Sequence, residues 1–149
     1  MMKQAILIPA LLAAATAGCT TVHTNQVVAA PSAEEAAVKA AVLDYFQGQG
    51  QASADRLNKA FAEDVAVMVS PAREGPGFQR REMSEIIPAW ASNSNPIGER
   101  SDYSFLSVEI VDDRLATVTF RSTDRFYDAL TLIKHSGEWQ IVAKAYVPQ

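Results

Sequence analysis

A chain of 149 residues is the length of one domain and too short for two sizeable cores. With 48% apolar and 20% charged residues its composition is globular, which excludes disordered, collagen-like and disulfide-scaffold chains. A net charge of −4 leaves no broad basic surface, so nucleic acid is not an expected partner. One cysteine cannot form an internal disulfide, and two histidines without a CxxC pair give no structural zinc pattern, so no metal and no cofactor is expected.

In chain order, Lys3 precedes an apolar run from Ala5 to Ala15. A membrane-spanning helix needs about 20 apolar residues, whereas about 7–15 behind a basic start is the size of a signal-peptide hydrophobic region. The next residues, Thr16-Ala17-Gly18-Cys19, resemble the lipobox of bacterial lipoproteins, in which a cysteine after small residues is lipidated and becomes the mature N-terminus. Thr16 stands where Leu, Val or Ile is usual, and Ala15-Thr16-Ala17 also fits an A-x-A cleavage site that would leave a soluble secreted or periplasmic protein. The lipoprotein reading makes residues 1–18 a signal peptide, Cys19 the lipidation site and residues 19–32 a flexible tether in which His23 is solvated. By that resemblance, Thr20 is not the Asp that retains lipoproteins in the inner membrane. The expected address is then the periplasmic side of the envelope, at the outer membrane through a lipid anchor.

The domain is expected over residues 33–149. Ser32-Ala33-Glu34-Glu35 forms an S-x-x-E capping box, and Val38, Val42 and Tyr45 follow at helical spacing, predicting a helix that ends near Gly48 and Gly50. A second helix is predicted from Ser53 to Ala62, with Leu57 and Phe61 on one face. Val65 to Val69 is an apolar run too short for a helix and reads as a strand buried on both sides. Pro71, Gly75, Pro76 and Gly77 predict a loop. A third short helix is predicted from Ser84-Glu85 through Trp90, with Pro88 in its first turn. From Tyr103 the period becomes two: Leu106, Val108 and Ile110, a three-residue turn at Asp112-Asp113-Arg114, then Ala116, Val118 and Phe120. A last hairpin joins a strand over Phe126–His135 to one over Glu138–Val147 through Ser136-Gly137. That turn pairs Leu132 with Ile141, Lys134 with Trp139 and Leu130 with Ala143, which places Lys144 and Tyr146 on a mixed, outward face. The apolar face needs a cover, and the N-terminal helices are available for it, giving an α+β domain of helices packed on a curved antiparallel sheet.

This order resembles the NTF2-like superfamily, also called SnoaL-like or ketosteroid-isomerase-like, and within it the putative lumazine-binding group. The likeness rests on Leu43-Asp44-Tyr45-Phe46, Leu57, Ala60-Phe61-Ala62-Glu63-Asp64-Val65, Phe126 through Lys134, Gly137-Glu138-Trp139-Gln140-Ile141-Val142 and Lys144. It spans about Ala36 to Val147 and implies a cone with a cavity between helices and sheet. The superfamily hosts enzymes, binding modules and structural subunits on one scaffold, so the resemblance implies a fold more specifically than a function.

Tyr45 falls where isomerase-like enzymes often place an oxyanion-supporting tyrosine; the favoured reading is a core tyrosine with one hydroxyl partner. Val67-Met68-Val69-Ser70-Pro71 has no carboxylate where such enzymes hold their base, which argues against carbanion chemistry. Asp128 shares a face with Leu130 and Leu132 and either points into the cavity or sits at the strand's exposed end. Lys144 reads as a snorkelling side chain or a carboxylate's partner, and His135 as a solvated hairpin residue. Of Arg80 and Arg81, adjacent on a strand, at most one can face a ligand, where a guanidinium would bind an anion in a fork. The expected lining is Tyr45, Phe61, Trp90, Phe105, Asp128, Leu130 and Trp139, aromatic and poor in charge, which suits a small hydrophobic or heteroaromatic ligand. Three readings follow: a non-catalytic small-molecule-binding or interaction module; an enzyme on a small cyclic substrate with Tyr45 and Asp128 as its catalytic groups; and a structural homodimer formed through the sheet.

Overall fold

The computed structural model describes residues 32–149, so the signal-peptide, Cys19 and His23 readings lie outside the described residues. Three helices, α1 (Ala33–Gln51), α2 (Ala54–Ala60) and α3 (Met83–Ala91), cover one face of a six-stranded sheet. The strands are β1 (Val67–Pro71), β2 (Phe78–Glu82), β3 (Tyr103–Val111), β4 (Leu115–Ser122), β5 (Phe126–His135) and β6 (Glu138–Pro148), in the order β2-β1-β6-β5-β4-β3. All neighbours pair antiparallel except β1 and β6, which run parallel because the chain crosses from β1 to the far edge and meanders back. The sheet is curved and does not close, and no helix among the described residues is long and apolar enough to cross a membrane.

The start of α1 shows how local signals become tertiary ones. The Ser32 hydroxyl accepts from Glu35 N–H at 3.0 Å, but Glu35 does not complete the capping box; its carboxylate pairs with Lys39 one turn on, at 2.5 Å. Glu34 reaches across to the β5–β6 hairpin, accepting from Lys134 at 2.6 and 2.8 Å and from the Trp139 indole at 2.8 Å. Hydrogen bonds from the Lys134 ammonium and then the Trp139 indole hold its carboxyl below the usual carboxylate range.

The expected end of α1 at Gly48 and Gly50 is not observed: the helix runs to Gln51 and is capped by Ala52 in the left-handed conformation. Both glycines are buried and serve close approach. A Cβ on Gly48 would lie 3.0 Å from the Leu57 side chain, and one on Gly50 only 2.7 Å from the Gly98 carbonyl oxygen. Beside that contact, Gln47 brackets Arg100 from both sides, accepting from its N–H at 2.9 Å and donating to its carbonyl at 2.5 Å. The loop between α3 and β3 is thereby fastened to α1.

Other boundaries also shifted. Pro88 lies in the interior of α3; the Ser84 carbonyl that loses its donor there belongs to an exposed turn, where water can replace it. The Val65–Val69 strand begins two residues later, with Val65 exposed, and the strand expected to carry Arg80 and Arg81 after the glycine-rich loop is β2. The two hairpin turns are as expected: Asp112 and Asp113 adopt positive φ between β3 and β4, and Ser136 and Gly137 do so in the two-residue turn.

Two irregularities decide which side chains face the helices. In β3 the register shifts at Leu106, so Tyr103 and Phe105 point inward on one side of it and Val108 and Ile110 on the other, while Leu106 itself is exposed. In β6 the register shifts at Val142: Leu132 faces Ile141 and Lys134 faces Trp139 as expected, but Leu130 faces Lys144 instead of Ala143. One extra residue thus turns Lys144 and Tyr146 from the outer face to the inner one, correcting their expected outward placement.

Replacing Gly50 with Ala should lower stability by about 1–2 kcal/mol in a urea titration, because overpacking against a backbone oxygen outweighs the gain in helix propensity. An unchanged or raised midpoint would show that the Gly98 loop yields freely.

Candidate functional site

Towards the C-terminal half of α1, the helices and sheet part to form a cleft of about 200 Å³. Tyr45 and Gln49 of α1 and Trp90 of α3 form its helical wall; Met68, Phe126 and Tyr146 form the sheet side. Lys144 lies at its floor, and Arg73, Arg81 and Arg125 stand around it from the β1–β2 loop, β2 and the β4–β5 turn. An adjoining hollow of about 210 Å³ shares Gln49, Trp90 and Arg125.

The floor is a buried polar triad. Asp128 accepts from the Tyr45 hydroxyl at 2.9 Å through Oδ2 and from the Lys144 ammonium through Oδ1. Each of the three residues is less than 5% exposed. The ammonium also lies 4.9 Å from the ring centroids of both Tyr45 and Tyr146, so the rings help replace lost water. Burial pushes the Tyr45 phenol well above its ordinary range, and the adjacent carboxylate adds to that effect. Burial pushes the Lys144 ammonium down, opposed by Asp128.

This pattern limits the chemistry of the floor. The Tyr45 proton is committed to Asp128, so the phenol cannot donate to a bound oxyanion without giving up that bond. Asp128 spends one oxygen on a phenol and the other on an ammonium, so neither oxygen is turned to a molecule in the cleft. At the end of β1, where isomerase-like enzymes would carry a base, Ser70 is buried and accepts from Gln79 at 2.8 Å. Among the described residues no group of three His, Cys, Asp or Glu gathers as a metal site would require.

The aromatic walls are ordered by mutual packing. The Tyr45 and Trp90 rings stack with centroids 6.0 Å apart, and Phe126 meets Tyr146 edge-on at 5.1 Å. Of the lining residues expected from sequence, Tyr45 and Trp90 line the cleft and Asp128 supports its floor. Phe61 packs behind Tyr45, edge-on at 5.4 Å; Phe105 packs against Phe120 at 5.2 Å in a cluster with Tyr103; Leu130 is in the closed core; and Trp139 joins Glu34. Those four do not line the cleft.

The expectation of a charge-poor lining is corrected by the arginines. Arg80 and Arg81 do diverge: Arg81 is paired with Met68 and enters the cleft, while Arg80 is exposed and pairs with Glu82. Arg73 and Arg125 carry no periodic signal because both lie in turns, where face cannot be read from sequence spacing. His135 is exposed at the distant hairpin, as expected.

Replacing Asp128 with Asn should cost about 3–5 kcal/mol in chemical denaturation, because Lys144 would be left buried without its counter-charge. Adding Lys144→Met should recover most of that loss. Equal losses for the single and double variants would show that the pair is not the floor's organising interaction.

No curated protein matches the chain in sequence. In structure it is similar to an NTF2-like protein of unknown function from Silicibacter pomeroyi, at 21% identity and TM-score 0.65, covering 76% of this chain and 94% of that one. A second NTF2-like protein of unknown function, from Shewanella baltica, is similar at 19% identity and TM-score 0.65, covering 78% and 94%. A ketosteroid isomerase-like protein from Erwinia carotovora atroseptica is similar at 17% identity and TM-score 0.56, covering 78% and 97%. At these identities the likeness establishes the NTF2-like fold alone. The family model described as "Putative lumazine-binding" matches residues 33–147, nearly all of the described domain. By that match, on that fold, the chain belongs to the putative lumazine-binding family.

Proposed function

We propose that this protein is an envelope lipoprotein whose domain binds a small ring-containing molecule in the cleft and does not transform it. The observation that carries this reading is the floor: Asp128 spends one oxygen on the Tyr45 hydroxyl and the other on the Lys144 ammonium, so the carboxylate and the phenol proton beneath a bound molecule are held as structure. The stacked Tyr45 and Trp90 rings and the Phe126–Tyr146 pair offer flat apolar surfaces on opposite sides. At about 200 Å³ the cleft is smaller than the roughly 300–1,000 Å³ that drug-sized ligands occupy, which suits one or two rings. The family's description points the same way, towards a small ligand.

The address follows from the first nineteen residues: a signal peptide, cleavage before Cys19, a lipid on that cysteine and a tether to the domain. On this reading the domain sits at the periplasmic face of the outer membrane. The full chain, extracted from its own membranes and sprayed under native conditions, should carry a reproducible adduct of a few hundred daltons together with the mass of lipid. Cys19→Ala should lose the lipid and leave the membrane fraction while keeping the adduct, and Trp90→Ala should lose the adduct and keep the lipid. An adduct-free spectrum, or turnover of a bound compound abolished by Tyr45→Phe, would overturn the binding-module reading.

A homodimer through the sheet is supported by the outer face. Phe78, Tyr127 and Val147 are exposed there beside Ala129 and Ala145, and together they line a hollow of about 240 Å³. Apolar area of this kind is normally covered. Sedimentation should show a dimer at micromolar concentration that Ala145→Glu converts to monomer, whereas a wild-type monomer would remove this assembly from consideration.

A further inference from the structure

The charge around the cleft is unlike that of the rest of the chain. The protein as a whole is acidic, at −4, yet the cleft is lined by Arg73, Arg81, Arg125 and Lys144, with no carboxylate among its lining residues. Lys144 is neutralised by Asp128 beneath it. The three arginines are not: among the described residues none of them has a carboxylate within ion-pair distance, while eight other basic groups do. Three guanidinium groups from three separate elements therefore converge without an internal partner.

Two of the three are partly buried, which distinguishes them from freely solvated surface arginines. Arg81 shares the inner row of the sheet with Met68 and Lys144 and stands two strands from Lys144, a separation of about 10 Å. Arg125 is half-buried with its guanidinium 5.4 Å from the Phe126 ring centroid, so its donor edge is left free while its face rests on an aromatic. Contrast Arg100, which is fully committed: it lies over Phe46 at 4.2 Å and donates to Asp102 and Ser122. Where this fold uses an arginine for structure, it supplies the acceptors.

We propose that the cleft selects a planar molecule of one or two rings that carries a negatively charged group, a carboxylate or a phosphate monoester, with the ring between the Tyr45–Trp90 and Phe126–Tyr146 walls and the anion held by Arg81 and Arg125. Arg73 closes the same side from the β1–β2 loop. The guanidinium fork matches both anions, and charge-assisted bonds to it are stronger than neutral ones. The pair below is internally neutralised, so the arginines are the unpaired cations that an anion in the cleft meets. This inference rests on the cleft being the binding site.

Calorimetric titration of the full chain with 2-naphthoate, 2-naphthyl phosphate and the neutral 2-naphthol separates the two ideas. At least one anion should bind about tenfold or more tightly than 2-naphthol. Raised salt should narrow that difference, and so should Arg81→Gln or Arg125→Gln. Arg80→Gln, one residue away on the opposite face, should change nothing. Melting temperatures of the arginine variants matching the parent would assign the effect to lost charge. Whichever anion binds distinguishes a carboxylate site from a phosphate site. If 2-naphthol binds as well as both anions, or if the preference survives both arginine substitutions, the anion inference is wrong and the ring-binding cleft stands. If no probe binds, both fail.

Discussion

One extra residue in β6 governs the inside of this domain. With a regular hairpin from Ser136-Gly137 onward, every second residue from Trp139 would face the helices, and Ala143 would lie opposite Leu130. The shift at Val142 exchanges the faces, bringing Lys144 and Tyr146 inward. Asp128 is buried by its place on β5 between the sheet and α1, and without that shift its carboxylate would face Tyr45 and an apolar core with no counter-charge. An uncompensated buried charge of that kind is among the more costly defects a core can hold. The bulge and the pair are therefore one device: the irregular strand is tolerated because it delivers the ammonium, and the ammonium is tolerated because the carboxylate is there.

The pair in turn gives the cleft its character. Asp128 has both oxygens engaged and Tyr45 its hydroxyl proton, while Lys144 gives one donor to Asp128 and lies against two aromatic rings. Cations without an internal partner lie instead at the rim, where the arginines come from turns and an edge strand. This division between a satisfied floor and an unsatisfied rim separates the cleft from a site built for proton transfer, in which the most buried groups are the ones left free to react. It also shows how one scaffold can host different functions: the helices and sheet stay in place while the polar groups between them are spent or left available.

Helix α1 connects the remaining parts. Glu34 ties its first turn to the β5–β6 hairpin, and Asp44 holds Arg56 at 3.1 Å and Lys59 at 2.8 Å, fixing α2. Tyr45 meets Asp128, while Gln47 and Gly50 hold the loop before β3. Each tie reaches a different element, and the apolar stripe of Val38, Val42 and Phe46 packs between them. A single helix with this many distinct partners sets the position of the cleft wall, because Tyr45 and Gln49 cannot move independently of its anchored ends.

The amino-acid sequence alone determined the helices, the meander, both hairpin turns and the likeness of the domain to its family, because these depend on period, capping and turn chemistry between near neighbours. Ser32, Val38, Val42, Tyr45 and the alternation around Val118 and Leu132 act within a few residues and can be read there. Tyr45, Trp90 and Asp128 were also legible as site residues, since each lies on a face that the period identifies. What only the tertiary structure decided lies where period breaks down. The shift at Val142 leaves no mark in composition, and Arg73 and Arg125 sit in turns whose directions are set by the strands they join. Gly48 and Gly50 look like a helix end but are contacts with Leu57 and Gly98, far along the chain or across a turn. A bulge, a turn and a close approach are each fixed by what packs against them, and that information belongs to residues distant in sequence.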